Sequence, residues 1–397
     1  MPSNTAATTA STPPKATMPP VSGDATNSDS ANSNLAAKAT TTSRLSPSSR
    51  MKKLLEEAIS RQASDLHLSI GVPPVLRIDG KLIGVAGESV ITPEDAKKLA
   101  ESLMTSQQIA RLEQDRELDF SFGYQAMRFR VNVFFERGSH ACALRLIPKE
   151  IRDLNSLGLP DMLARLMNLN QGLILITGPT GHGKTTTAAS MLQQVNVTRR
   201  SHIITVEDPI EYLFEHHKSI IQQREVGSDT LTFAKALRSA LREDPNIVFL
   251  GEMRDFETIE AALTVAETGH LVIATLHTNT AAQTADRIID AFPPHQQSQA
   301  RTQLANSLLA IVSQRLLPKV AGGRIAAAEI MLATSAVRNI IREAKTHQLN
   351  NVIQTSGSEG MISLDKVLAE LVSKGEITMD EALNWAYDQK AFKAMVY

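Results

Sequence analysis

From Met51 onward, apolar and polar positions follow the two periods of regular structure. Leu54, Leu55, Ala58 and Ile59 share one helix face within residues 51–62. Asp65-Leu66-His67-Leu68-Ser69-Ile70 alternates strictly, the period of a half-buried strand. Val75–Ile78 and Lys81–Val85 flank Asp79-Gly80, a two-residue hairpin signal. Thr92-Pro93-Glu94-Asp95 opens a helix, with Thr as N-cap, Pro in the first turn and an acid at the third helical position. Two short helices run from there to about Glu113. Arg128–Phe134 and Ala141–Ile147 read as adjacent strands. In the first of them Phe129, Val131 and Val133 share one face, and Arg128 and Arg130 the other. Residues 50–150 are therefore expected to form an α+β domain ending near Pro148.

Past Asp153 the pattern changes. Continuous apolar runs at Leu173–Ile176, Ile203–Val206, Ile247–Leu250 and Leu271–Ala274 alternate with helical stretches to about Ile330. That alternation predicts an α/β domain, a mostly parallel sheet with helices on both faces. Ligands bind such sheets at the carboxyl ends of the strands, and each run leads straight into polar residues. Gln296–Tyr397 reads as largely helical, for example at Ser335–Thr346, Leu364–Lys374 and Asp380–Asp388. Residues 151–397 are thus one domain with a helical C-terminal part. Residues 1–49, rich in Ala, Ser, Thr, Pro and Asn, hold too little apolar surface to offset ordering entropy and are read as a disordered tail.

Composition narrows the classes. The 397 residues carry 41 basic and 42 acidic side chains, which argues against a nucleic-acid-coating or polybasic membrane protein. One cysteine, Cys142, allows neither a disulfide framework nor a multi-cysteine zinc site. No apolar run approaches the roughly 18–20 residues that span a bilayer, and the N-terminus lacks the pattern of a secretory signal. A soluble cytoplasmic protein is expected.

The chemistry begins at Gly178-Pro179-Thr180-Gly181-His182-Gly183-Lys184-Thr185, the nucleoside-triphosphate P-loop, between an apolar strand and a helix from Thr186. Its glycines let backbone N–H groups wrap a phosphate at a helix N-terminus. Lys184 is placed to reach the β- and γ-phosphates, and the Thr185 hydroxyl to ligate Mg²⁺. His182 fills a variable position of the loop. Glu207-Asp208-Pro209-Ile210-Glu211 follows the second strand, and three carboxylates so close together call for a cation or a proton-handling role. Gly251-Glu252-Met253-Arg254-Asp255 follows the third, where an acid ending an apolar strand binds Mg²⁺ through water or polarises the attacking water. His270 and His277 bracket the fourth, placed to sense the γ-phosphate or relay a subunit contact. Arg128, Arg130, Arg137 and Arg145 cluster in the first domain, either on a solvated sheet face or as phosphate contacts supplied to a neighbour. Arg238 and Arg242, four apart on one helix face, are second candidates.

Together these segments resemble the secretion-ATPase superfamily that drives type II secretion and type IV pili. Ile204–Glu211 is similar to its Asp box, Leu241–Asp255 to its Walker B signature, and Thr268–Thr278 to its His box. Ala336-Val337-Arg338-Asn339-Ile340-Ile341-Arg342-Glu343 is similar to a C-terminal motif of the pilus retraction ATPases, and Ala63–Leu68 and Arg128–Asn132 also fit that branch. The resemblance implies a PAS-like N-terminal domain, a RecA-like ATPase domain and a homohexameric ring at the cytoplasmic face of the inner membrane. It implies ATP and Mg²⁺, with residues 178–186 on the nucleotide, Lys184 on the phosphates, and Thr185 and Glu252 at the metal. Glu207 would activate the catalytic water, and arginines would come from the N-terminal domain. Ala336, Arg338, Asn339, Arg342 and Glu343 would serve retraction, and hence twitching motility, rather than hydrolysis. The implied partners are an inner-membrane pilus platform protein and a retraction-type paralogue, with no specific nucleic acid. The alternatives are a pilus extension or type II secretion ATPase and a non-hydrolysing, ATP-gated helper. Two departures stand out: Asn246 where the family has Asp, and the N-terminal 49 residues.

Overall fold

The computed structural model describes residues 47–78, 80–125, 127–147 and 150–396. Residues 1–46 of the expected tail, the hairpin residue Asp79 and the expected domain end at Pro148 lie outside the described residues.

The N-terminal part is built on one six-stranded sheet. Helix α1 (Ser49–Ser60), capped by the Ser48 hydroxyl on the Met51 amide, leads into β1 (Asp65–Leu68), β2 (Val75–Ile78) and β3 (Lys81–Gly84). Helix α2 (Pro93–Glu101) starts at Thr92, and the Thr92 and Asp95 side chains cap each other's backbone as a capping box. Helix α3 (Ser106–Asp115) precedes β4 (Glu117–Tyr124), β5 (Met127–Glu136) and β6 (Ser139–Ile147). The strands pair antiparallel in the order β3-β2-β1-β6-β5-β4. Phe120, Phe122, Phe129, Val131, Val133 and Leu144 point to the helices and are buried with Met51, Leu54, Leu99 and Leu112. The opposite face of β4 and β5 is polar, carrying Asp119, Ser121, Arg128 and Arg130, as the period of two requires.

The second part follows helix α4 (Met162–Leu166). Its chain runs β7 (Gly172–Thr177), α5 (Lys184–Thr198), β8 (His202–Glu207), β9 (Ile220–Glu225), α6 (Phe233–Ala240), β10 (Ile247–Leu250), α7 (Phe256–Glu267) and β11 (Leu271–Leu276). It continues through α8 (Ala281–Asp290), α9 (Gln297–Ser307), β12 (Leu308–Pro318) and β13 (Arg324–Leu332). It ends with α10 (Ser335–Arg342), α11 (Leu349–Thr355), α12 (Leu364–Ser373), α13 (Met379–Trp385) and α14 (Gln389–Val396). The seven strands lie in the order β13-β12-β7-β11-β10-β8-β9, parallel except for β12 against β13. β7, β10 and β11 are buried along their whole length, with separate apolar clusters on the two faces of the sheet. The helices expected at Ser335–Thr346, Leu364–Lys374 and Asp380–Asp388 correspond to α10, α12 and α13, the first and last ending earlier than expected, and all four expected strands are present.

The reading of Gln296–Tyr397 as largely helical is corrected over β12 and β13. Leu308-Leu309-Ala310-Ile311-Val312 is a short continuous apolar run, which periodicity alone cannot assign to helix or strand. Pairing of β12 with the exposed edge of β7 decides it. β4 and β9 also escaped the pattern; β9 is an edge strand whose polar Gln222, Gln223, Arg224 and Glu225 hide its period. Among the described residues no helix is long and apolar enough to cross a membrane.

Phe129→Ala removes a ring that is fully buried between the N-terminal sheet and its helices. It is expected to cost about 3–5 kcal/mol in chemical denaturation.

Candidate functional site

The P-loop is held by the strand beside it. β7 ends at Thr177, whose hydroxyl meets Ser313 Oγ of β12 at 2.9 Å. Gly178 follows at φ +141°, and a Cβ there would stand 2.3 Å from the Gln314 carbonyl oxygen, so only glycine fits. Gln314 Nε2 donates to the His182 carbonyl at 2.8 Å, and Gln314 Oε1 accepts from the Thr187 hydroxyl at 2.7 Å. His182 Nδ1 accepts from the Leu316 amide at 3.1 Å, so this variable loop residue is a fastening to β12. Burial, and then the charge of Arg315, lowers the His182 pKa, which keeps the ring in the neutral form that can accept. The loop delivers Lys184 to the first turn of α5, where backbone N–H groups are free to take an anion. Lys184 Nζ donates to the carbonyls of Gly178 and Pro179 at 2.8 and 3.0 Å and faces His277 Nδ1 at 3.5 Å. Thr185 is half-buried beside it, and the Thr186 hydroxyl meets the Tyr212 hydroxyl at 2.9 Å.

β10 and β11 bring the next two groups. Glu252 lies just past Leu250, its side chain 11% exposed, with one carboxylate oxygen on Arg254 and the other 3.2 Å from His277 Nε2. His277, just past Leu276, thus bridges Glu252 and the P-loop, and its Nδ1 also lies 3.3 Å from Thr180 Oγ1. His270 stands at the other end of β11. Its ring bonds the Val265 carbonyl at 3.2 Å and Thr268 Oγ1 at 3.3 Å. Seven residue steps along an extended strand separate the two histidines, about 23 Å, so the fold brings His277 to the P-loop and leaves His270 at the amino end of the sheet.

β8 ends at Glu207, which is only 3% exposed. Its carboxylate accepts from the Thr205 hydroxyl at 2.7 Å, the Glu211 amide at 3.2 Å and Gln223 Nε2 at 3.3 Å. Burial outweighs these bonds and pushes its pKa up to about 7. The expectation that Glu207 activates water therefore meets a carboxyl turned inward. Glu211, further along this loop, is half-buried. Burial lowers the pKa of Lys184, and the carboxylates opposing that effect are Glu211 first and Glu252 second.

The arginines divide. Arg130 Nε donates to Asp119 at 3.0 Å; that bond raises its pKa most, and the charges of Glu211 and Asp208 raise it further. Arg128 Nη2 lies 2.6 Å from Glu225 at the end of β9. Arg145 pairs with Asp65 at 2.9 Å and its side chain is 70% exposed, while Arg137 sits in the left-handed turn after β5. Arg238 lies 3.9 Å from Glu257. The helix face expected to join Arg238 and Arg242 is corrected: α6 stops at Ala240, and Arg242 is an exposed residue of the turn that follows. Asn246 accepts from the His202 amide at 2.8 Å at the start of the strands, remote from the P-loop. The segment Ala336–Glu343 forms α10 and the turn after it. Arg338 donates to the Ala305 and Asn306 carbonyls, closing the end of α9, and Arg342 donates to Asn306 Oδ1 at 2.9 Å. Ala336, Asn339, Arg342 and Glu343 are exposed, with Glu343 paired to Lys345 at 2.8 Å.

Gln314 and Glu225 were not singled out in the sequence, and Arg254 was given no role of its own within Gly251–Asp255. For Gln314 there was a signal: Ser313-Gln314-Arg315 interrupts an otherwise apolar run. Thr185 and Glu252 offer hard oxygen donors at the P-loop. Among the described residues no cluster of three or more His, Cys, Asp or Glu could hold a metal alone. That donor set suits a Mg²⁺ ion shared with substrate phosphates.

The profile of the type II/IV secretion system protein family matches residues 42–384. The type IV pilus retraction ATPase PilT of Pseudomonas aeruginosa is 46% identical over 334 residues, 83% of this chain and 96% of that protein. A twitching motility protein of Neisseria gonorrhoeae is 43% identical over 320 residues, 80% of this chain and 85% of that protein. The crystal structure of the pilus retraction motor PilT with bound ADP aligns at a TM-score of 0.80 and 50% identity, covering 86% of this chain and 98% of that one. With a P-loop, its flanking strand and helix, and near full-length likeness, this chain belongs to the type II/IV secretion system protein family.

Proposed function

We propose that this chain is an ATP-hydrolysing motor that powers retraction of type IV pili and so twitching motility. The observation that carries the reading is the convergence of Lys184, His277 and Glu252 at the carboxyl edge of the second sheet, with the charge of Glu211 acting on Lys184. It occurs in a chain that aligns with a pilus retraction ATPase over nearly that protein's whole length.

In this reading residues 178–186 take ATP, and Lys184 leaves the loop carbonyls for the β- and γ-phosphates. Thr185 and Glu252 would hold Mg²⁺, which when bound neutralises phosphate charge and draws the transferring group into line. Glu211 orients the attacking water. Glu207 sets the loop by accepting the Glu211 amide, and His277 ties the phosphate end of the site to Glu252. The first domain is PAS-like and the second RecA-like, and six copies form a ring. Arg130 serves the site of its own chain, while Arg238 and Arg242, exposed beyond the sheet, are the arginines offered to a neighbouring copy. The exposed residues of Ala336–Glu343 pass motion to an inner-membrane pilus platform or to a retraction-type paralogue. The motor works at the cytoplasmic face of that membrane.

Lys184→Ala and Glu252→Gln are each expected to lower ATP turnover about 10²-fold or more, read as phosphate release across a mass-resolved elution profile. Wild-type turnover retained by both variants would overturn the reading.

Glu211→Gln is expected to cost far more turnover than Glu207→Gln. A carboxyl with a pKa of about 7 is half protonated at neutral pH, and glutamine resembles that form. Equal losses, or a larger loss for Glu207→Gln, would return the water to Glu207.

Glu207 also carries a stability signature. Its folded pKa lies above the unfolded 4.5, so the folded state holds the proton more tightly. Stability from this group is complete below pH 4.5 and is lost as pH rises to about 7, on the order of 3 kcal/mol. Melting curves of Glu207→Gln are expected to lack that part of the decline seen in the wild type.

A further inference from the structure

We infer that Glu225 is a positioning residue that couples the N-terminal sheet to the loop carrying Glu211. Glu225 closes β9 directly beside Glu207, its register partner on β8, and its side chain is 6% exposed. One carboxylate oxygen, Oε2, gathers donors from both parts of the chain. Arg128 Nη2 at 2.6 Å and the Ser121 hydroxyl come from the outer face of the N-terminal sheet. The Ile210 amide at 3.1 Å comes from the acidic loop.

The place of that amide matters. Pro209 has no N–H, so Ile210 supplies the first backbone donor after the turn, one residue before Glu211. The other bonds of Glu225 hold it still: its amide donates to Asp229 Oδ2 at 2.8 Å, and its carbonyl accepts from the Asp229 amide at 2.8 Å. Arg128 Nε is buried without a partner among the described residues, so the guanidinium is aimed by Glu225 and Ser121. A buried carboxylate shared between charged and backbone donors is strong and directional, and removing one donor leaves the charge poorly compensated. Arg130, two residues on and on the same sheet face, brings its charge toward Glu211 and Asp208. A displacement of the N-terminal sheet therefore moves the acidic loop. The P-loop stays fastened to β12 through Gln314 and His182. The coupling acts on the hydrolytic step rather than on nucleotide affinity.

This inference rests on the ATPase reading, and its test is separable from that reading. Arg128→Met is expected to speed amide hydrogen exchange across residues 208–212 in the full chain without nucleotide. It is also expected to lower kcat about tenfold while leaving KM for ATP within about twofold. Arg128→Lys, which keeps a cation within reach, is expected to restore part of both. If Arg128→Met disturbs folding, Ser121→Ala removes one donor at the same oxygen and is expected to shift exchange in the same direction by less. Unchanged exchange in Arg128→Met, or a rise in KM with kcat retained, would overturn the coupling; the second result would instead mark Arg128 as a phosphate contact. Absence of wild-type hydrolysis would count against the motor reading alone, because exchange still reports the coupling.

Discussion

A parallel strand buried on both faces has no place along its length for an unpaired polar side chain, so polar chemistry gathers where the strands end. β7, β8, β10 and β11 obey this constraint. Each is largely apolar along its buried length and then delivers, in turn, the P-loop, Glu207 with its acidic loop, Glu252, and His277. Because the strands are parallel and in register, all four deliveries occur on one edge of the sheet. The remaining constraint is on the loop itself. Gly178 lies so close to the backbone of β12 that no side chain fits between them, and Gln314 and His182 fasten loop to strand.

Three carboxylates on that edge have different surroundings, and the surroundings separate their roles. Glu207 is buried, holds three donors and has its pKa raised by desolvation. Glu252 is bracketed by Arg254 and His277. Glu211 is half-buried, and its charge opposes the effect of burial on Lys184. In the proposed motor this division assigns the first to holding the loop, the second to the metal side of the phosphates and the third to water. The same residue type serves each role because environment, and not identity, sets which form of the acid is present.

The N-terminal sheet contributes its polar face in place of an apolar one. Asp119, Ser121, Arg128 and Arg130 stand on it by simple alternation; Arg130 pairs with Asp119 on that same face, while Ser121 and Arg128 meet Glu225 at the end of β9. Such contacts between charged groups are directional and sensitive to small shifts, unlike a broad apolar interface. That property suits a joint whose position is meant to be felt at the acidic loop.

Much of this was legible in the chain itself. The P-loop, the four apolar strands, the acids that follow two of them, and the inward set Phe129, Val131 and Val133 depend on local periodicity and short motifs, which sequence displays directly. What the tertiary structure decided depends on partners distant in the chain. β12 became a strand because β7 offered an edge. Gln314 and His182 acquired roles because that pairing lays one over the other. His270 and His277 parted because strand direction sends only one of them to the ligand edge. Glu207 is buried because β9 and its own neighbours close over it. Glu225 met Arg128 across 97 residues. Period and motif are properties of neighbours in sequence, whereas burial, pairing and charge compensation are properties of neighbours in space, and those decide which of several identical side chains is free to act.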